Sequence, residues 1–219
     1  MSRVAQLLKR EDGNIALFVL GMLSIMMVLF VFVFNLSKVF AVKEQSSSAA
    51  QQASLAATSA FYDSLWDRVK DYSSPAAPEK TIADLVAERE GQLEGGLFSD
   101  DSANERHIQA IDDVIADQMQ SDLDFYALMN ESLPFILEDA MQAAGSNLSK
   151  NGGNSVDAQW WIKDGQMYMK SSMDVKGTPY KGFMQFKEQL FQQSGGPKIT
   201  FLDQLPHYYN TDPRSISSY

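Results

Sequence analysis

The run IALFVLGMLSIMMVLFVFVF, Ile15 to Phe34, holds twenty uncharged residues, and only Gly21 and Ser24 among them are not strongly apolar. At about 1.5 Å per residue a helix of this length is about 30 Å long, the thickness of a bilayer's hydrocarbon core. Nothing else in the chain is apolar enough to surround such a helix, so a membrane is its expected environment. A secretory signal has a shorter apolar stretch, about 7–15 residues, followed by a small-residue cleavage site. Here Asn35-Leu36-Ser37-Lys38 follows, so an uncleaved anchor is expected. Arg3, Lys9 and Arg10 precede the run, and Lys38 and Lys43 follow it. This excess favours a cytoplasmic N-terminus, with residues 1–14 as a short cytoplasmic tail and the bulk of the chain outside the cell membrane.

Charge divides the 219 residues into three regions. Residues 1–43 balance to +3, residues 44–145 to −15, and residues 146–219 to +2. The net charge of −10, with no basic stripe, argues against nucleic acid as a partner. The acidic middle reads as solvated helix faces. With no Cys, the chain has no disulfide scaffold, zinc-thiolate site or thiol nucleophile.

No Gly or Pro occurs between Met22 and Ser74, so the apolar helix is expected to continue to about Tyr72. Residues 35–72 would then form a helical stalk. Leu36, Val39, Lys43, Ser46, Ala50, Ala53, Ala57, Ala60 and Ser64 recur at alternating spacings of three and four, a heptad seam with small residues at its centre. Two readings stand for Ala50, Ala53, Ala57 and Ala60. The stripe packs on the chain's own outer domain, or it is a helix–helix assembly seam between subunits.

The same region resembles a known family. Glu11-Asp12-Gly13-Asn14-Ile15-Ala16 opens the apolar run and Asn35-Leu36-Ser37-Lys38-Val39-Phe40 closes it. The Ala- and Gln-rich run from Ala49 to Ala60 follows. This order is similar to the N-terminal region of the TadE/TadG-like proteins of tight-adherence (Flp) pilus assembly in bacteria, over about residues 11–61. Asn35 stands where the family has Asp, and Lys38 where Arg is usual. The resemblance implies a cytoplasmic N-terminus, an exported C-terminal domain, and a structural role beside other pilus-assembly or pilin-like subunits. It also brings Gly13-Asn14 forward as a candidate prepilin-peptidase site. Phe18 occupies the position where prepilin-like substrates carry Glu. Without cleavage, Gly13 reads as a turn before the helix.

Ser73-Ser74-Pro75-Ala76-Ala77-Pro78 ends the stalk, and residues 73–209 are expected to form an exported α+β domain. Thr81 to Leu93 is patterned as a short amphipathic helix. Ser102 and Glu105 form a candidate capping box. A long helix follows through Ile108, Ile111, Ile115, Met119, Leu123, Tyr126 and Leu133, with a kink or restart at Pro134 and an end at Gly145. Gln159–Lys163, Asp164-Gly165 and Gln166–Val175 read as an antiparallel hairpin on a type I′ turn. Trp161, Met167 and Met169 fall on its alternating positions. Phe183, Phe186 and Leu190 suggest a helix stopped at Gly195-Gly196-Pro197, Ile199–Leu202 a last strand, and residues 210–219 a flexible tail. The fold class is therefore α+β: a transmembrane helix running into a long α-helix, a helical middle and a small C-terminal antiparallel sheet.

No catalytic constellation announces itself. His107 and His207 are isolated in sequence, and no nucleophile elbow, dinucleotide or phosphate-loop pattern occurs outside the apolar run. Asp100-Asp101, Asp112-Asp113 and Asp122 with Asp124 lack the calcium-loop pattern of Gly and terminal Glu. Trp160-Trp161 with Tyr168 reads as sheet packing or as a carbohydrate or peptide platform. The expectation is a non-enzymatic, single-pass structural protein of pilus or surface-appendage assembly, with no cofactor or metal. The alternatives are the extracellular input domain of a membrane sensor acting through a partner and a membrane-anchored enzyme.

Overall fold

The computed structural model describes residues 11–75, 78–95, 102–176 and 187–216. Helix α1 (Glu11–Val69) runs without interruption from the apolar segment through the small-residue stripe. Helices α2 (Ile82–Glu94), α3 (Ala103–Ser121) and α4 (Leu123–Lys150) follow. Strands β1 (Asn154–Lys163), β2 (Gln166–Lys176) and β3 (Lys187–Lys198) come next, then a 3-10 turn at Thr200–Gln204, helix α5 (Pro206–Tyr209) and strand β4 (Arg214–Ser215). The strands form one sheet in the order β3-β2-β1-β4. The fold class is the expected α+β.

The described residues fall into two compact units, those within 1–44 and 174–189, and those within 45–173 and 190–219. In the first, Asn35 and Val175 are the buried side chains among the described residues. The second holds the main core. There the buried face of α1 (Ala50, Ala53, Ala57, Phe61, Leu65, Val69) joins Ile111 and Ile115 of α3, Met129, Leu133 and Ile136 of α4, and Trp160, Ile162, Met167 and Met169 of the sheet.

Local sequence explains several boundaries. Thr81 caps α2 and Ser102 caps α3, each in a reciprocal box with Asp84 or Glu105. These bonds to the charged forms hold the Asp84 and Glu105 carboxyls below their usual range. The helix break expected at Pro134 occurs instead at Asp122, whose extended backbone ends α3 and starts α4. The Asp122 carboxylate accepts from the backbone N–H of Asp124 and Phe125 and from the Tyr72 hydroxyl at 2.9 Å. These three hydrogen bonds at one residue stabilise a break where the helix would otherwise continue. Pro134 is retained inside α4, between buried Leu133 and Ile136, and Gly145 does not end the helix, which runs on to Lys150. Interior Pro costs about 3 kcal/mol, and the buried apolar face of α4 offsets it.

The hairpin matches its expected register: Trp161 pairs with Tyr168 and Lys163 with Gln166. Asp164 and Gly165 both have positive φ, 52° and 73°, as a type I′ turn requires. The alternation places Trp160 and Ile162 inward with Met167 and Met169, and puts Trp161 on the outer face.

Four other expectations are corrected. Leu190 and Gly195-Gly196-Pro197 lie within strand β3 and not in a helix and its stop; Phe183 and Phe186 lie outside the described residues. A Cβ at Gly196 would meet Thr58 Oγ1 at 2.5 Å and the Ser54 carbonyl oxygen at 2.9 Å, so glycine there lets the strand pass directly over α1. Pro197 is tolerated because β3 is an edge strand. Ile199–Leu202 is not a strand: the chain turns into a 3-10 helix that buries Phe201 and Leu202. The tail is ordered through Ile216, because Thr211 bonds Ile162 and β4 pairs with Gln159 and Trp160. Gly13 lies inside α1 rather than in a preceding turn.

Candidate functional site

From Ile15 to Phe34 the large apolar side chains are exposed on every face of the helix, with Phe18 at 65%, Met26 at 64% and Phe30 at 71%. Leaving one such side chain in water instead of burying it costs about 1.5–3 kcal/mol. Over the whole run the sum is tens of kcal/mol, more than the net stability of a typical domain. Such a surface matches an apolar environment better than water. Ser24 turns its hydroxyl back to the Leu20 carbonyl oxygen at 2.8 Å, which satisfies its one polar group inside the helix. One helix of the described residues is long and apolar enough to cross a membrane, and this run supplies its apolar window.

Further along the same helix the pattern inverts. Ala50, Ala53 and Ala57 are completely buried, while Ala60 is half-buried. The stripe is covered by the chain's own domain, and β3 crosses it at Gly196. Its smallness serves a close helix–strand approach within the protomer. The polar side chains along this face are satisfied: Ser54 donates to the Gln51 carbonyl and Thr58 to the Ser54 carbonyl within the helix, and Ser46 to the Leu190 carbonyl of β3.

Two of the acids expected on solvated faces are buried. Asp112 on α3 is 3% exposed. It accepts from the Tyr62 hydroxyl of α1 at 2.7 Å, and from the Thr200 backbone N–H at 2.9 Å and hydroxyl at 2.8 Å. One carboxyl thus ties α1, α3 and the 3-10 turn together. Burial pushes its pKa up, against the opposing pull of these hydrogen bonds. The Tyr62 hydroxyl is also pushed up, first by burial and then by the adjacent carboxyl. Asp122 is the second buried acid, and its pKa is lowered, first by its hydrogen bond with Ser74. Neighbouring Asp113 faces outward to Arg89 at 2.6 Å. The spacing of Ile108, Ile111, Ile115 and Met119 puts position 112, and not 113, on the buried face of α3; what it does not give is the Tyr62 and Thr200 partners that the carboxyl meets there.

The remaining candidates disperse. His107 contacts Glu90 and meets the Trp66 ring edge-on at 5.6 Å, whereas His207 packs on Tyr208. Among the described residues no three His, Asp or Glu side chains converge as a metal group; Asp100-Asp101 lies outside them. Trp160 belongs to the core, and only Trp161 and Tyr168 stack on the outer sheet face, 5.5 Å apart. A cleft of about 230 Å³ between α1 and α3, lined by Leu55, Tyr62, Trp66, His107 and Ile108, has no sequence signature. The backbone of Gly13-Asn14 lies in the first turn of α1.

Residues 13–60 match the family model described as putative Flp pilus-assembly TadE/G-like. The match covers the whole exposed apolar run and the small-residue stripe, and stops just before Phe61. No curated protein and no solved structure matches the chain.

Proposed function

We propose that this chain is a single-pass, membrane-anchored structural component of Flp/Tad-type pilus or surface-appendage assembly, with its N-terminus in the cytoplasm. The folded domain would then stand outside the membrane and act through protein contacts rather than catalysis. The observation that carries the reading is the coincidence of two features on one segment. The pilus-assembly family match covers residues 13–60, and the same segment holds a helix exposed on all sides with apolar residues. The basic excess at Arg3, Lys9 and Arg10 supports the orientation. The burial of Ala50, Ala53 and Ala57 moves the search for assembly contacts away from this stripe and onto the outer surface of the domain.

The test uses the absence of Cys. Single-Cys variants at exposed Ala127 and at Ser2 are labelled in intact cells with a membrane-impermeant maleimide, and appendages are counted in cells lacking the chain. Labelling of A127C alone, together with loss of appendages, is expected. Labelling of S2C in intact cells, recovery of the chain in the soluble fraction, or unchanged appendage counts would overturn the proposal.

A further inference from the structure

Two surfaces of the second unit, one half-buried and one exposed, carry the same pattern with opposite charge. The first is the outer face of the sheet. Trp161 and Tyr168 are directly paired across β1 and β2, with their rings stacked at an interplanar angle of 8°. Lys163 lies two residues beyond Trp161, and Lys170 two residues beyond Tyr168, so the antiparallel register puts the two lysines at opposite ends of the aromatic pair. Lys170 pairs across the ladder with Gln159, four residues from Lys163, which sets the lysines about 13 Å apart along the strand. Phe191 of β3, 44% exposed and 5.0 Å from the Lys170 ammonium, widens the aromatic surface.

The second surface is the solvent side of α4. Asp124, Glu131 and Glu138 recur every seven residues and are all exposed, opposite the buried row Phe125, Met129, Leu133, Ile136 and Ala140. Phe135 lies between Glu131 and Glu138 and is 54% exposed. Arg68 of α1 touches the Phe135 ring and pairs with Asp139 at the edge of the stripe. Glu131 and Glu138 are about 10 Å apart along the helix axis, a span that two flexible lysine side chains can match.

We infer that the Glu131–Phe135–Glu138 stripe of one copy docks on the Lys163–Trp161/Tyr168–Lys170 face of a second copy. Aromatic would meet aromatic at the centre, and each lysine would meet a glutamate. Charge complementarity selects this occupant: residues 44–145 balance to −15 and residues 146–219 to +2. The contact joins two different patches, so it is heterologous and propagates head to tail. It is smaller than a typical stable interface, and anchoring copies in one membrane raises their effective concentration. The inference rests on the proposed function for its biological setting.

The experiment crosslinks full-length chains in membranes. Ala127→Cys, on the α4 stripe, and Gln159→Cys, on the sheet face, are co-produced and treated with a short bismaleimide. Crosslinks between the two variants are expected to exceed those within either one at least tenfold. Lys163→Glu with Lys170→Glu should remove them, as should Glu131→Lys with Glu138→Lys. Co-producing the two reversed chains should restore them, which also shows that both variants fold. Homotypic crosslinks alone, crosslinks indifferent to either reversal, or failure of the mixture to recover would overturn the contact. Appendage counts in the same cells report on the proposed function separately. Charge-dependent crosslinks with unchanged counts would keep the contact and overturn the reading of pilus assembly.

Discussion

Helix α1 contains two halves that obey opposite rules. From Ile15 to Phe34 the residues are large and apolar and nearly all are exposed; from Ser46 to Val69 one stripe of small and apolar residues is buried completely. Backbone geometry is the same in both. The difference lies in what surrounds each half, and side-chain size shows it: bulky residues on all faces suit lipid, whereas Ser and Ala on one face suit a strand passing at close range. The stripe alone invites a reading as a subunit contact. Its burial beneath β3 shows that small residues mark close approach and do not say which chain approaches.

The sharpest way to break this comparison is one substitution made twice. Phe61 is fully buried and stacks on Phe201 at 6.1 Å, while Phe30 is 71% exposed. Phe61→Ala should destabilise the domain by about 3–5 kcal/mol. Phe30→Ala should leave domain unfolding unchanged in detergent-solubilised full-length protein. Thermal unfolding followed by near-ultraviolet circular dichroism measures both, and equal losses would show that the two halves do not differ as described.

Asp112 gives a second, somewhat smaller effect. Asp112→Ala leaves the Tyr62 hydroxyl and the Thr200 N–H buried without their acceptor, at a cost of about 2–4 kcal/mol. The pH dependence has a definite sign. Burial raises the Asp112 pKa in the folded state, so its contribution is complete below the ordinary carboxylate pKa of about 4 and is lost as pH rises through the folded value. Asp122, Asp84 and Glu105 are held low. Their contributions are present above about pH 4 and are lost on acidification through their folded values. Denaturant titrations from pH 3 to 7 should show the downward slope above pH 4 flatten in Asp112→Ala while the acid-side loss remains. A variant with the wild-type slope would remove Asp112 as its source.

The smallest effect concerns the stripe. Ala53 has no accessible surface, and β3 comes within contact of neighbouring Ser54 and Thr58 at Gly196. Ala53→Leu should cost about 1–3 kcal/mol by overpacking. Gln52→Leu, on the exposed side of the same turn, should be nearly neutral. Equal, negligible shifts in melting temperature would show the stripe to be loosely covered and open to a second helix.

Local chemistry made much of this molecule legible. A twenty-residue apolar run is long enough to cross a bilayer. Asp164-Gly165 has one preferred turn, and Ser102 with Glu105 one capping arrangement; all three depend on neighbouring residues alone. The family resemblance was confined to the same N-terminal segment that the family model matches. The corrected elements each depend on partners distant in sequence. Asp122 overrides Pro134 as the helix break because Tyr72 and the first turn of α4 converge on its carboxylate. Gly195-Gly196-Pro197 lies in strand β3 where it passes over α1, and Ser54 and Thr58 leave room only for glycine at position 196. The tail is ordered because Ile162 and Trp160 offer it a sheet edge.

Sequence alone thus established the long apolar helix, the hairpin and the helical content, since hydrophobic length, turn conformation and capping act over a few residues. Only the tertiary structure decided what covers the small-residue face of α1 and which partners the buried Asp112 and Asp122 carboxylates meet. It also decided which aromatics remain on the sheet surface, because each of those outcomes depends on how one element is rotated against another.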